Sequence, residues 1–284
     1  MHSYLRIKEL VKLELTAIEE KMLSAVSVCE PLNSRIKRFL SEPSKRIRSV
    51  LAILYKKSQN LEVSDTDLEI LSAVELVHNA SLIHDDIIDE STLRRGQKTL
   101  STEFGSKLGV IAGDYLLAVA MEKISALGKT DIFAHTLKQM CIGEINQNFT
   151  RFKIGTIEEY IEKSKNKTGY LFDCAIKSTL TPNQSTPPRD EGFGMNFGIA
   201  FQIRDDLLNI LHKDPSKPST DIEEGIYTAP VIFSGSVKNY ADGIEKTRIL
   251  LNNYVEKAKD AVCNFEDNIY TCALNELLES LKNE

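Results

Sequence analysis

Residues 64–90 read SDTDLEILSAVELVHNASLIHDDIIDE and carry the strongest structural signal in the chain. Ser64 and the acidic residues after it form a pattern typical of a helix start. Apolar and small side chains then recur at helical spacing, which places on one face Ile70, Ala73, Val74, Val77 and Ser81. The stretch therefore predicts a long helix that leads into a cluster of three aspartates.

The same helical spacing recurs along nearly the whole chain, and convincing strand-like alternation is absent from the sequence. Thr156 and Glu159 form a capping-box pattern that predicts another helix start. The clearest breaks in the helical spacing lie at residues 41–44, 91–97, 181–190 and 212–220. They are too short, and their composition is too ordinary, for interdomain linkers. We therefore expect an all-α fold, a single domain over residues 1–284 with ten or more helices around a central cavity.

Composition and charge exclude several classes of protein. The net charge of -6 argues against a general nucleic-acid binder. The five cysteines are scattered without CxxC spacing, so neither a disulfide framework nor a zinc site is expected, and a reducing compartment fits. The most apolar stretch, residues 108–121, is too short for a membrane span and contains Asp114. The sequence predicts a soluble, cytoplasmic protein with no nucleic-acid partner and no membrane span.

Residues 84–90 read HDDIIDE and form the first acidic motif. On a helix, Asp85 and Asp89 lie on one face with Asp86 beside them. Carboxylates this close repel one another, and Mg²⁺ shared with substrate phosphates would relieve the repulsion. The alternative is a solvated acidic helix end. The interleaved apolar residues argue against it, because they place the carboxylates in a partly buried position where unpaired charge is unfavourable.

Residues 201–209 read FQIRDDLLN and repeat this geometry. Asp205 and Asn209 have the i,i+4 spacing, with Asp206 adjacent and two leucines between them. One acidic cluster among apolar residues is weak evidence for a site. Two clusters with the same spacing favour a clamp in which metal ions bridge a diphosphate between facing helices.

Cationic side chains occur where a phosphate site would need them. Lys45-Arg46-Ile47-Arg48 follows the break at Pro43-Ser44 and is expected to open a helix, whose dipole attracts phosphate. Arg94-Arg95-Gly96 lies just beyond the first acidic motif, and Lys167-Thr168 pairs an ammonium with a hydroxyl. Each segment alone would be a solvated basic patch, and His78 alone a core histidine. Together, arginine forks and lysine charges opposite carboxylates form a coherent diphosphate site.

These segments resemble the trans-isoprenyl diphosphate synthases, the polyprenyl synthetase family, over nearly the whole chain. The order and spacing of the matching segments are highly specific. The segments are KRIR (45–48), ELVH (75–78), LIHDDIID (82–89), RRG (94–96), GDYL (113–116), GE (143–144), KT (167–168) and FQIRDD (201–206). The resemblance implies an all-α bundle that forms a homodimer, and a Mg²⁺-dependent condensation of isopentenyl diphosphate with an allylic diphosphate.

The resemblance also implies roles for individual residues. Mg²⁺, three ions per active site, would be held by Asp85, Asp89 and Asp205, with Asp86 and Asp206 completing the clusters. Isopentenyl diphosphate would be bound by Lys45, Arg48, His78 and Arg95. The allylic diphosphate would be contacted, and its departure assisted, by Arg94, Lys167, Thr168 and Gln202. The implied reaction is ionisation of the allylic diphosphate, attack by the isopentenyl double bond, and proton loss between apolar walls that exclude water.

The chain departs from the family pattern at three places. Pro43-Ser44 stands where a glycine pair usually precedes the lysine, and Asn209 replaces the last aspartate of the second motif but keeps an amide oxygen. Around Lys217 one lysine of the pattern is offset or missing, and Ile226 stands where another is expected. Fewer cations in this segment would weaken binding of the allylic substrate.

Three other functions stay open at this point. A non-catalytic subunit that binds prenyl diphosphate for a partner would be expected to lose the acidic motifs, whereas both are kept here. A terpene cyclase shares the fold and the acidic clusters but does not need the isopentenyl site. A short-chain synthase, making farnesyl or geranylgeranyl diphosphate, differs only in product length.

Small residues lie about one helical turn before the first motif, ~5.4 Å along the helix from it. Their size is relevant to product length. In the family, aromatic residues at the positions of Ala80 and Ser81 act as a floor that stops short products, and here both are small. Val77 and Val74, on later turns of the same face, are medium-sized. We therefore expect a long-chain all-trans product of roughly six to eight isoprene units by analogy with the family. Close helix packing is the alternative reason for the small residues.

Overall fold

The computed structural model describes residues 2–180, 192–211 and 221–283. The fold is all-α as predicted, with more than ten helices in these residues. None of the described helices is both long and apolar enough to cross a bilayer. The chain divides into two compact units, Met1–Phe133 and Ala134–Glu284. A single domain around a central cavity stays a prediction, and Lys217 with the prolines of the 181–190 break lies outside the described residues.

The first unit consists of helices and one short hairpin. Its elements are α1 (His2–Glu9), α2 (Lys12–Ala25), α3 (Leu32–Ser41), α4 (Ile47–Lys57), α5 (Asp65–Ile88), β1 (Leu93–Arg94), β2 (Gln97–Lys98), α6 (Leu100–Phe104) and α7 (Ser106–Ala126). The long helix α5 packs against α2 and α7. Gly113 of α7 makes the close approach possible, because a Cβ there would overlap the ring of His84 on α5. The first acidic motif therefore lies on a helix held by packing from two neighbours.

The start of α5 is fixed by local hydrogen bonds, as the sequence predicts. The hydroxyl of Ser64 accepts the backbone N–H of Asp67, and the Asp67 carboxylate accepts the backbone N–H of Ser64 at 2.7 Å. The same carboxylate accepts the ammonium of Lys56 at 2.6 Å, which forms a buried ion pair between α4 and α5. The helix that carries the first motif is thus anchored at its N-terminus.

The cationic segment at residues 45–48 opens a helix later than predicted. Helix α4 begins at Ile47, and Arg46 precedes it in the left-handed conformation with φ 51°. The reason is tertiary, because the Arg46 guanidinium donates to the carbonyl of Leu40 and lies 3.5 Å from the Glu75 carboxylate on α5. Lys45 therefore lies outside the helix, and Arg48 lies in its first turn.

The second unit is built around α11. Its elements, with α8 beginning just before the boundary, are α8 (Thr130–Phe149), α9 (Ile157–Ser164), a π-helical turn (Lys165–Gly169), α10 (Tyr170–Thr179), α11 (Phe193–Ile210), α12 (Ala229–Ser234), α13 (Ala241–Asp260) and α14 (Ile269–Lys282). The capping box of Thr156 and Glu159 opens α9 as predicted. Helix α11 packs on α13, on α10 and on the π-helical turn. A Cβ on Gly198 would lie 2.7 Å from the Cα of Gly169, so the two glycines let the backbones of α11 and the turn touch.

Candidate active site

The first acidic motif lies at the C-terminal end of α5. The helix ends at Ile88 and Asp89 is its C-cap, with the Asp89 backbone N–H bonded to the Asp85 carbonyl at 2.8 Å. The carbonyl end of a helix carries partial negative charge, so three carboxylates there are placed against the dipole. The position favours a bound cation more strongly than the same residues would at a helix start.

The three carboxylates of this motif have different environments. Asp86 is buried and accepts the Nε–H of Arg94 at 2.7 Å. Burial raises the pKa of Asp86, and the charge of Arg94 opposes that rise. Asp85 is half-buried and Asp89 is exposed. Asp85 and Asp89 are therefore more accessible to a bound ion than Asp86.

A tight hairpin places the two arginines that follow the motif. Strands β1 and β2 pair in antiparallel fashion, and the two residues between them, Arg95 and Gly96, have φ 49° and 78°. Both values lie in the left-handed region that a type I′ turn requires. The turn sends Arg94 to Asp86 and places Arg95 3.9 Å from the carboxylate of Glu42.

A cluster of cations surrounds His78 in the first unit. Burial lowers the pKa of His78 well below 6.5, and the charges of Arg48 and Arg95 lower it further. Burial also lowers the pKa of Arg48 to about 10 and lowers that of Arg95. His78 is thus neutral at pH 7 beside guanidinium groups, and it can donate or accept a hydrogen bond without adding charge. The structure brings these three predicted residues together, with the exposed Lys45 just before α4.

The second acidic motif is organised by a chain of three hydrogen bonds. The buried Asp206 accepts the hydroxyl of Tyr160 at 2.7 Å and the Nε2–H of Gln202 at 2.8 Å. The Oε1 of Gln202 in turn accepts the hydroxyl of Thr168 at 2.6 Å. Gln202, Asp206 and Thr168, which the sequence analysis assigned to the site, therefore form one connected network with Tyr160.

The two motifs use their adjacent aspartates in the same way. In the second motif Asp206 is buried and hydrogen-bonded to protein, while Asp205 is half-buried. Burial raises the pKa of Asp206 to about 6, against the attraction of Lys163 and the hydrogen bond from Tyr160. The motif lies in the last turns of α11, again near the carbonyl end of a helix. One aspartate of each pair supports the structure and its neighbour is accessible.

Asn209 occupies the third position of the second motif. Its Nδ2 donates weakly to the Asp221 carboxylate at 3.5 Å, and its buried Oδ1 has no hydrogen-bond partner in the part of the chain that the structure describes. A buried oxygen without a donor is unfavourable. The amide oxygen that replaces a carboxylate here is therefore available as a ligand.

The arrangement fits Mg²⁺, although no three His, Cys, Asp or Glu side chains among the described residues converge on one point. Mg²⁺ is usually held by one or two carboxylates and completed by water and substrate phosphates. The first motif offers Asp85 and Asp89, and the second offers Asp205 and the orphaned oxygen of Asn209. Each motif thus has oxygen donors of the type that Mg²⁺ prefers.

The π-helical turn carries the predicted Lys167-Thr168 pair. The Lys167 ammonium lies 3.8 Å from the Glu144 carboxylate of α8. The neighbouring Gly143 brings α8 close to the turn, because a Cβ there would lie 2.8 Å from the Cβ of Asn166. Single π-helical turns are frequent at functional sites. The turn points Thr168 at Gln202 and leaves the Lys167 side chain largely accessible.

A cavity of about 480 Å³ lies beside this turn within the second unit. Its lining combines charged, polar and apolar side chains from α8, α9, the π-helical turn and the segment before α12, among them Lys153, Tyr160, Lys163, Asn166, Ile226 and Tyr227. A volume of this size is within the range of small-molecule sites. Ile226, noted in the sequence as a departure from the family pattern, therefore lines a cavity rather than the core.

Three functional candidates were missed by the sequence analysis. Tyr160, to which the sequence assigns no role, donates its hydroxyl hydrogen to Asp206. Glu42 lies beside Arg95, and Lys163 lines the cavity one turn before Lys167. The spacing of Tyr160, Lys163 and Lys167 by three and four residues was the available signal, since such residues share a helix face. No local signal identified Glu42.

Comparisons with known proteins identify the family to which the chain is similar. The sequence model of the polyprenyl synthetase family matches residues 29–266. A prenyl transferase of Cyanidium caldarium is 33% identical over 237 residues, which cover 79% of this chain and 73% of that protein. Heptaprenyl diphosphate synthase component 2 of Geobacillus stearothermophilus is 30% identical over 232 residues, with coverage of 78% and 72%. The crystal structure of octaprenyl pyrophosphate synthase from Helicobacter pylori is similar with a TM-score of 0.81 at 26% identity, covering 96% of this chain and 99% of that one.

Proposed function

The chain belongs to the polyprenyl synthetase family, and on that premise we propose that it extends an allylic diphosphate with isopentenyl units in a Mg²⁺-dependent reaction. It is a trans-polyprenyl diphosphate synthase, a prenyltransferase with a long-chain product. The observation that carries the mechanism is the arrangement shared by α5 and α11. Each helix carries, in its last turns, an aspartate pair in which one member is buried and hydrogen-bonded and the other is half-buried.

The accessible oxygens are the proposed metal ligands. Asp85 and Asp89 in the first motif and Asp205 in the second hold Mg²⁺, and the unpartnered Oδ1 of Asn209 supports that role for the second motif. Bound Mg²⁺ supplies charge neutralisation for the departing diphosphate. By the family resemblance we propose three ions per active site.

The buried aspartates position other groups. Asp86 holds Arg94 at 2.7 Å, so that its guanidinium is oriented before substrate binds. Asp206 holds Gln202, and Gln202 holds the hydroxyl of Thr168. Donors that are fixed in advance stabilise developing negative charge without reorganisation. We assign Arg94, Thr168, Gln202 and Lys167 to the allylic diphosphate.

The cationic cluster of the first unit is the proposed isopentenyl diphosphate site. Arg48 and Arg95 offer planar forks that suit phosphate oxygens, and Lys45 adds an exposed ammonium at the edge of the cluster. His78 is neutral there and can donate a hydrogen bond. The cluster binds the anion while the uncharged double bond is left to react with the allylic cation.

A homodimer is the proposed assembly. Three apolar side chains of α8 are exposed at spacings of three and four residues, which places them on one face: Ile142 at 36%, Ile145 at 55% and Phe149 at 78%. An exposed apolar stripe of this kind marks an interaction surface. Light scattering of the purified chain should give twice the 31.9 kDa monomer mass. Ile145→Asp should shift it towards the monomer, and a monomeric wild type would contradict this assignment.

A second candidate function is that of a subunit that works with a different partner chain. The similarity to a protein named component 2 of a heptaprenyl diphosphate synthase favours it. Under this alternative the purified chain would be inactive alone and would gain activity only with a second protein.

We propose the reducing cytoplasm as the compartment. The support comes from the thiols, since all five cysteines are free within the chain. Disulfides are rare where glutathione and thioredoxin keep thiols reduced.

The experiment that tests the function uses the purified chain, labelled isopentenyl diphosphate and an allylic primer. We expect the label to enter longer, acid-labile products with Mg²⁺ and not after chelation. Cyclic hydrocarbon products would indicate a cyclase instead. No incorporation by the chain alone, followed by incorporation after addition of a cell extract, would favour the partner-subunit alternative.

A further inference from the structure

A lysine to which the family resemblance assigns no role lines the cavity of the second unit. Lys163 is on α9, four residues before Lys167, and it lines the cavity of about 480 Å³. Burial lowers the pKa of Lys163, whereas the charge of Asp206 raises it and that of Lys167 lowers it. The two ammonium groups are therefore close enough to repel each other in the absence of an anion.

In the described part of the chain the carboxylates of Asp206, Asp221 and Glu144 attract the Lys163 ammonium, but none of them is bonded to it. Among the described residues it makes no hydrogen bond or ion pair, and its closest specific contact is the ring of Tyr160, with 5.7 Å from Nζ to the centroid. Asp206 attracts it, but the Asp206 carboxylate is already occupied by Tyr160 and Gln202. A largely buried ammonium without a bonded partner is unfavourable, and a ligand anion would relieve the cost.

A second polar group without a partner lines the same cavity. Asn166 is 2% exposed, its Oδ1 is enclosed without a donor, and its amide makes no side-chain hydrogen bond with the residues that the structure describes. An amide can present its NH₂ group to a phosphate oxygen after rotation. A charged donor and a neutral donor thus line the same partly open cavity, next to the π-helical turn that carries Lys167.

We propose that Lys163 is a further binding residue for the allylic diphosphate, with its ammonium taking an oxygen of the group that Lys167 also binds and with Asn166 as a neutral donor. The assignment rests on the proposed function, which gives Lys167 to that substrate. Lys163 would also supply a cation in place of the lysine that the family pattern expects at Ile226. The side chain of Ile226 lines the same cavity, so an ammonium placed at that position would reach the space that Lys163 serves.

Lys163→Met tests the proposal because it removes the charge and keeps the packing of the aliphatic stem. Loss of a charge-assisted hydrogen bond should raise the KM for farnesyl diphosphate about ten- to a hundredfold. The KM for isopentenyl diphosphate should change less than about twofold. Lys246→Met, which removes an exposed lysine of α13 outside the cavity, is the matched control and should behave as wild type.

Two further measurements separate binding from a structural role. Lys163→Met should unfold at a urea concentration close to that of wild type, because removal of the buried ammonium and loss of its attraction to Asp206 offset each other. Lys163→Met combined with Ile226→Lys should recover most of the lost affinity for farnesyl diphosphate. A destabilised Lys163→Met with an unchanged KM would overturn the proposal in favour of a structural ion pair.

Calorimetric titration with inorganic diphosphate and Mg²⁺ tests Lys163 independently of turnover. We expect Lys163→Met to bind diphosphate at least about tenfold more weakly than wild type. Equal binding by the two proteins would overturn the assignment. A wild-type chain that binds diphosphate through Lys163 but never incorporates isopentenyl units would instead contradict the proposed function.

Discussion

Asp206→Asn should make the metal-free protein more stable while it disrupts the active site. Asp206 is buried, and its pKa is about 6 in the folded protein against an ordinary value of 3.8. Because the pKa is higher in the folded state, the carboxyl contributes stability below pH 3.8 that is lost as the pH rises through 6. The asparagine variant has no carboxyl at this position to ionise, so it does not lose this stability as the pH rises.

The magnitude follows from the difference of about two pKa units, which corresponds to about 3 kcal/mol at pH 7 and about 2 kcal/mol at pH 5. Asp206 accepts hydrogen bonds from both Tyr160 and Gln202. Asparagine has one acceptor oxygen, so one of these bonds is lost at a cost of about 1 kcal/mol. The net gain in the free energy of unfolding should be about 2 kcal/mol at pH 7.

Urea denaturation at pH 7 and pH 5, in buffer with a chelator, measures this difference. The advantage of Asp206→Asn over wild type should shrink by about 1 kcal/mol between the two pH values. Asp267→Asn, at an exposed aspartate of the same unit, is the control and should stay within about 0.5 kcal/mol of wild type. A variant less stable than wild type at pH 7, with the same pH dependence, would refute the reasoning.

The remaining predictions concern turnover and product length. Asp85→Ala or Asp205→Ala should lower kcat by several orders of magnitude with native circular dichroism, since a metal ligand that acts on the leaving diphosphate is lost; near-normal turnover at saturating Mg²⁺ would remove the metal assignment. Lys45→Ala and Arg48→Ala should raise the KM for isopentenyl diphosphate more than that for the allylic substrate, and equal effects in steady-state kinetics would mean that the two sites are exchanged. Ala80→Phe should shorten the product in chromatography and destabilise the fold by about 1–3 kcal/mol, because Ala80 is fully buried; an unchanged product length would mean that another wall sets it.

Contacts within one helical turn could be predicted from the sequence, whereas contacts between residues distant in sequence could not. The helix start at Ser64 and the capping box of Thr156 with Glu159 form within one helical turn, so their residue types sufficed to predict them. The left-handed Arg46 could not be foreseen, because it is held by groups on α3 and α5.

The same distinction holds within the acidic motifs. Their spacing predicted that carboxylates share a helix face, and the resemblance to the family assigned the ligands. Which aspartate of each pair is buried depends on Arg94 arriving from the hairpin and on Tyr160, 46 residues away in sequence from Asp206. Such partners follow from tertiary packing, which the spacing of a single segment does not specify.

Product length tests the central claim most directly. The purified chain is incubated with labelled isopentenyl diphosphate, Mg²⁺ and either dimethylallyl or farnesyl diphosphate, and the dephosphorylated products are separated by reversed-phase chromatography. We expect all-trans products of roughly six to eight isoprene units from either primer. Products that stop at farnesyl or geranylgeranyl length, or no incorporation by the chain alone, would contradict it.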